Sequence, residues 1–170
     1  LKDVNAATIQ DQSVANREGM ESIVIVEFEA AFPEHLDELV RIRIAAMRDS
    51  LTRLGRFDPD RARERFASGF NPAYTRFINV AGLRVGFVVV KPESDLLKLD
   101  HLYIEPDYQG RGIGAKVLES IFSTADELGL PITVTALRGS ESNAFYQRHG
   151  FVYQDETEWD INYMRRPRTH

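Results

Sequence analysis

Cysteine is absent from the 170 residues, which excludes disulfides, thiolate zinc sites and a cysteine nucleophile. Histidine is scarce, and His35, His149 and His170 fall at no spacing that suits a metal, so no metal is expected. Long apolar runs are missing too. The longest, Val85–Val90, is interrupted by Gly86 and ended by Lys91-Pro92. That is far short of the roughly 20 residues that cross a bilayer, so no membrane association is expected. Positive charge is not in excess either. The net charge of −5 argues against nucleic acid as a partner. Arg165, Arg166 and Arg168 form a small local exception that reads as a solvated tail. The first twenty residues hold no apolar signal core. Together with the lack of cysteine, this leads us to expect a cytoplasmic protein.

An apolar fraction of 43% and a charged fraction of 28% belong to an ordinary globular domain. Leu1–Gly19 is polar and aperiodic and reads as an N-terminal arm or leader, leaving residues 20–167 as the folded domain. Ile23–Phe28 reads as a first strand. Pro33 then opens a helix whose apolar positions are Leu36, Leu39, Val40, Ile44, Met47 and Leu51. Asp58-Pro59 caps a second helix reaching about Ser68. Strands follow at Tyr74–Val80, Leu83–Lys91 and Leu96–Ile104, the first two joined through Ala81-Gly82. Ile113, Val117, Leu118, Ile121, Ala125 and Leu128 make the stripe of a third helix that Gly129 ends. Pro131–Leu137 is a β-branched strand, Ser140 is placed to cap a short helix through His149, and strands at Phe151–Thr157 and Trp159–Met164 complete the order β-α-α-β-β-β-α-β-α-β-β. The fold class is therefore α/β with a mixed sheet.

The most informative stretch is Tyr108-Gln-Gly-Arg-Gly-Ile-Gly-Ala115, between a strand and a helix. Its alternate glycines allow close backbone approach and turns other residues resist. Amides at the helix mouth favour an anion, and Arg111 adds a guanidinium suited to phosphate oxygens. The loop reads as a diphosphate cradle. Gly110-x-Gly112-x-x-Ala115 loosely fits a dinucleotide fingerprint, but too few strand–helix crossovers follow for a Rossmann unit. No Gly-Lys-Ser/Thr follows either, so it is not a P-loop.

Leu102-Tyr-Ile-Glu-Pro-Asp-Tyr-Gln-Gly-Arg-Gly-Ile-Gly114 resembles the central motif of the GNAT N-acetyltransferase superfamily, with Gln109, Gly112 and Gly114 at its defining positions. Asn143-Ala-Phe-Tyr-Gln-Arg-His-Gly-Phe151 resembles the same family's Phe-Tyr-x-x-x-Gly-Phe ending. The resemblance spans about Ile23 to Met164 and implies the GNAT fold with a splayed central strand pair. It implies acetyl-CoA as the acetyl donor, its diphosphate on the amides of Gln109, Gly110, Arg111, Gly112, Ile113, Gly114 and Ala115. Its pantetheine arm would lie along the backbone of Leu102, Tyr103 and Ile104, where an amide would also hold the thioester oxygen. The family's asparagine six or seven residues before the tyrosine is replaced here by Gly139 and Ser140, so Ser140 or Asn143 would take the pantetheine contact.

Acetyl transfer needs a proton donor for the leaving thiolate, and Tyr146 stands where the family keeps that tyrosine. Its phenol, with an ordinary pKa near 10, stays neutral at pH 7. For the base, strand alternation sets Lys98, Asp100 and Leu102 on one face and Leu97, Leu99 and His101 on the other. The resemblance favours Asp100, with His101 and water as alternatives. The expected activity is transfer to a primary amine, of a small molecule rather than a protein N-terminus or lysine, by direct attack in a ternary complex. The competing readings are a module on the same fold that retains acetyl-CoA without catalysis, and an acetyltransferase of protein N-termini or lysines. Asp155, Glu156, Glu158 and Asp160 on the last hairpin read as alternating solvated charge, and a homodimer is expected by analogy with the family alone.

Overall fold

The computed structural model describes residues 23–169, so the expected arm at residues 1–19, and His170, lie outside the described residues. The strands are β1 (Glu27–Ala30), β2 (Thr75–Val80), β3 (Leu83–Pro92), β4 (Leu97–Ile104), β5 (Ile132–Leu137), β6 (Val152–Glu156) and β7 (Asp160–Arg165). The α-helices are α1 (Leu36–Arg53), α2 (Pro59–Gly69), α3 (Ile113–Leu128) and α4 (Ser142–Arg148). Their order is the one read from the sequence, although β1 begins later than expected. Pro33 opens a single 3-10 turn ahead of α1, and the Asp58 carboxylate accepts from the Arg61 amide at 3.2 Å, as its capping position predicts.

All seven strands form one sheet in the order β1-β2-β3-β4-β5-β7-β6. Every pairing is antiparallel except β4 with β5. Helix α3 covers one face, where Val117, Leu118, Ile121 and Ala125 pack on Val85, Val88, Val90, Leu97 and Leu99. Helices α1 and α2 cover the other, where Leu39, Ile42 and Phe66 pack on Phe77, Phe87 and Val89. Burial of large apolar side chains on both faces, at about 25 cal/mol per Å² removed from water, is the main force holding the three layers.

Two irregularities in β3 and β4 shape the middle of the sheet. Val89 pairs with His101 but Val90 with Leu99, so Asp100 is an extra residue bulged out of β4. The bulge corrects the alternation expected from the sequence. Leu97 and Leu99 pack on the α3 side, His101 and Tyr103 turn to the α1–α2 side, and Leu102 and Ile104 return to the α3 side. Parallel pairing with β5 ends at the same point, since only Leu97, Lys98 and Leu99 pair, with Ile132, Thr133 and Val134. Beyond it β4 and β5 part. The far end of β4 is instead drawn hard onto β3 at Gly86, where a Cβ would stand 2.2 Å from the Tyr103 carbonyl oxygen. Only glycine fits there.

The C-terminal arginines are not a solvated tail throughout. Arg165 is 4% exposed, and its guanidinium donates to both Asp126 oxygens at 2.8 and 3.1 Å while lying 4.0 Å from the centre of the Phe122 ring. The Arg168 amide adds a third bond to the same carboxylate at 2.9 Å. These bonds, those from Arg165 foremost, hold the Asp126 pKa at about 2, below its ordinary 3.8. A carboxylate whose pKa is depressed by folding stabilises the fold above its unfolded value and loses that contribution as pH falls. The latch should therefore weaken between about pH 4 and pH 2. Asp126→Asn should lower stability at pH 7 by about 3 kcal/mol, because it strands a buried guanidinium, and should flatten the acid limb of the stability profile. Urea unfolding of both proteins across pH measures each effect.

Candidate active site

The residues singled out in the sequence converge on the place where β4 and β5 separate. From Asp100 onward the edge of β4 that faced β5 has no strand beside it, so its outward N–H and C=O groups are open to a ligand. The Gln109 side chain closes one of them by donating to the Ile104 carbonyl at 2.9 Å. That bond also anchors the loop that follows.

The three loop glycines serve two purposes. Gly110 and Gly112 adopt φ of +75° and +80°, in the left-handed region that favours glycine, and no atom lies within 4 Å of where their Cβ would be. Gly114 lies inside α3 and is small for a different reason, since its Cβ would meet Phe145 Cζ at 3.0 Å. The third glycine therefore lets α4 lie against the mouth of α3. The helix ladder begins with the Lys116 amide bonding the Gly112 carbonyl at 3.2 Å. The amides of Ile113, Gly114 and Ala115 are the first-turn donors that the helix leaves without partners. Arg111 is exposed beside them, its guanidinium 5.2 Å from the Tyr108 ring centre and in no ion pair among the described residues. Open amides, an unpaired guanidinium and a helix N-terminus suit a diphosphate.

Helix α4 brings Tyr146 against the opening. The ring packs between Phe145 and Phe151, each with centroids 5.4 Å away, and the residue is 6% exposed. Its hydroxyl finds no hydrogen-bond partner among the described residues. Burial pushes the phenol well above its ordinary pKa, and the neighbouring Tyr103 adds to the rise. Tyr146 is thus held protonated.

Two expected roles change. Ser140 does not cap α4 through its side chain; its hydroxyl donates to the Leu137 carbonyl at 2.7 Å and meets Ser142 Oγ at 2.5 Å. Asn143 is likewise engaged within the protein. Its amide donates to the Leu137 and Ser140 carbonyls, both at 2.9 Å, and its oxygen accepts from the Tyr163 hydroxyl at 2.7 Å. The pair ties the end of β5 to α4 and β7, and neither side chain is left free for a pantetheine arm.

Asp100, the bulged residue at which β4 and β5 part, is held among cations. Lys91 Nζ lies 3.0 Å from its carboxylate, and His101 Nε2 lies 3.7 Å away. Burial alone would raise its pKa, but the Lys91 hydrogen bond and the charges of His101, Lys91 and Lys98 hold it below the ordinary value. His101 is pushed down to about 4, first by burial and then by Arg43, Lys91 and Lys98, against the opposing pull of Asp100. It is neutral at physiological pH.

Sequence reading credited Tyr103 with its backbone alone. In the structure its hydroxyl meets His101 Nδ1 at 3.2 Å and accepts from Arg43 Nε at 3.4 Å. Arg43 comes from α1, sixty positions earlier, so periodicity along β4 held no sign of the contact.

Residues 74–153 match the acetyltransferase (GNAT) domain. Among solved structures, the PaiA N-acetyltransferase of Thermoplasma acidophilum in complex with coenzyme A is similar at 15% identity and a TM-score of 0.69, over 83% of this chain and 98% of that one. An acetyltransferase of Thermus thermophilus aligns at 20% identity and 0.66, over 83% and 96%. The ribosomal-protein-S18-alanine N-acetyltransferase of Escherichia coli aligns at 17% and 0.65, over 85% and 96%. No curated protein matches the sequence.

The loop geometry carries a direct test. Gly112→Ala forces a Cβ into the left-handed region and should cost about 1–2 kcal/mol of folding stability, read as a lowered urea midpoint with an unchanged slope.

Proposed function

We propose, for a chain that belongs to the GNAT superfamily by the acetyltransferase domain it matches, that it transfers the acetyl group of acetyl-CoA to a primary amine by direct attack in a ternary complex. The observation that carries this reading is the parting of β4 and β5 beside an open glycine cradle, with a buried Tyr146 on the helix that follows β5. Acetyl-CoA supplies an activated acyl group on a thiol leaving group. The amides of residues 109–115 and Arg111 would hold its diphosphate. The free edge of β4 from Leu102 to Ile104 would bond the pantetheine amides as a strand does, and one of its N–H groups would polarise the thioester carbonyl. Tyr146, kept protonated by burial, would donate to the departing sulfur.

A small amine suits the approach better than a protein tail. The α1–α2 turn reaches across to the β6–β7 turn, where Arg56 lies 4.0 Å from the centre of the Trp159 ring. Leu54 closes on the β5–α4 loop, 3.5 Å from where a Cβ at Gly139 would be. Both contacts narrow the entry on the α1 side. Trp159 is 47% exposed at this rim.

Acetyl-CoA at about 100 times its dissociation constant should stabilise the protein by about 2.7 kcal/mol and raise the melting midpoint by several degrees, whereas NADH should leave it unchanged. Tyr146→Phe should keep that stabilisation while turnover of a small primary amine falls by about 10²-fold or more. A protein that binds acetyl-CoA but releases no thiol with any amine would instead be the non-catalytic module.

A further inference from the structure

Lys91, Asp100, His101, Tyr103 and Arg43 line up on the α1–α2 side of β4, Asp100 and His101 in charge contact and His101, Tyr103 and Arg43 within hydrogen-bond reach, and the activity as described does not use them. Lys91 fixes Asp100 at 3.0 Å, Asp100 faces His101 Nε2 at 3.7 Å, and His101 Nδ1 meets the Tyr103 hydroxyl at 3.2 Å. Arg43 closes the far end. A guanidinium can only donate, so its 3.4 Å contact makes the Tyr103 oxygen an acceptor there and leaves the hydroxyl hydrogen for His101. A Tyr103 hydroxyl that donates to Nδ1 goes with the tautomer whose hydrogen is on Nε2, the nitrogen that faces Asp100. The imidazole is walled by Phe66 and Phe87, with centroids at 5.2 and 6.4 Å. The line is sheltered, and it ends in a phenol on the stretch of β4 that lies beyond its last pairing with β5.

We propose that Tyr103 is a second catalytic tyrosine, whose hydroxyl takes the proton the acceptor amine must shed while His101, positioned by Asp100, draws that hydroxyl's own proton away. The inference rests on the acetyl-transfer reading. The amine nitrogen forms a bond to the acetyl carbon with its lone pair as the carbon–sulfur bond breaks, its electrons leaving on sulfur. One N–H proton passes to the Tyr103 oxygen, and the Tyr103 proton passes to His101 Nδ1. The imidazolium faces the Asp100 carboxylate, which stays ionised and stabilises it by charge. The sulfur leaves as the thiol with a proton from Tyr146. His101 then returns its proton through Tyr103 to solvent, and Tyr146 regains one from solvent. The weak basicity of His101 does not prevent this. Nitrogen bonded to the acetyl carbon becomes positively charged, and an N-protonated amide is a stronger acid than the imidazolium. That weakness also keeps His101 unprotonated and ready at neutral pH.

Three proteins and one spectroscopic measurement test the proposal: the parent chain, Tyr103→Phe and His101→Gln, each assayed against a panel of small primary amines. Tyr103→Phe keeps the ring and should lower kcat by about 100-fold while the KM for acetyl-CoA moves by less than about twofold. His101→Gln keeps an oxygen that can accept the Tyr103 hydrogen bond but cannot take the proton. It should lose turnover comparably, where a purely structural histidine would be replaced without loss. Nitrogen-15 spectra of the free parent protein should show His101 with hydrogen on Nε2 alone, and they decide the matter even where a variant does not fold. A Tyr103→Phe protein within about threefold of the parent, a fully active His101→Gln, or hydrogen on Nδ1 would each overturn the relay and leave the transferase reading standing. A parent protein that binds acetyl-CoA yet acetylates no amine would overturn both.

Discussion

The active region depends on one unmet demand, the hydrogen-bonding capacity of β4 after its third pairing with β5. A strand inside a sheet normally satisfies its backbone groups on both sides, and leaving them bare in a buried place costs free energy. Here the bulge at Asp100 turns the strand away from β5 after Leu99, and the Gly86 contact holds the freed end against β3. The cost is tolerable because the opening is an edge that a ligand can complete. The other features are arranged around that edge. The glycine loop continues from its end, α4 presses Tyr146 against its mouth, and the bulge turns His101 and Tyr103 to the face beneath α1 and α2.

The charges that surround this opening are sorted by what they must hold. Arg84 serves structure, donating to Glu29 of β1 and Glu38 of α1 and so fastening the edge of the sheet to the first helix. The resulting depression of the Glu29 pKa to about 2, caused chiefly by Arg84 and then Asn79, marks a pair fixed in place. Arg165 and Asp126 do the same at the opposite side. Around His101 the arrangement differs, because Lys91, Lys98 and Arg43 outnumber the single carboxylate of Asp100. Burial first, and then these three cations, keep His101 neutral with a lone pair available. Fixed pairs therefore lie where the fold needs rigidity, and the unbalanced cluster lies where we propose that a proton moves.

Much of the architecture was legible in the chain, since the periods of 2 and 3.6 residues and the glycine and proline stops fixed the number, type and order of the elements. The left-handed turns of the glycine loop were legible for the same reason: their geometry is local and their spacing is short. What escaped were features in which one residue is claimed by another far away. Nothing near Asp100 announces a bulge, because alternation is read on the assumption that no residue is inserted, and the extra one shows only against Val89 and Val90 of β3. Arg165 looked like a tail residue because Asp126, its partner, is 39 positions earlier. Asn143 looked free because Tyr163 and the end of β5 were not visible from its own helix.

The position of β7 bears on how the protein is made. Strand β7 lies between β5 and β6, although it is the last of the seven to be synthesised. Until residues 160–165 leave the ribosome, the flank of β5 destined for β7 is an unpaired, β-branched edge of the kind that recruits other strands. Insertion of β7 seats the Arg165 side chain on Asp126 and closes that edge in one event. The nascent sheet therefore waits on the last of its seven strands, and a ribosome stalled before residue 160 would present cellular chaperones with a sticky, half-built sheet rather than a smaller folded core.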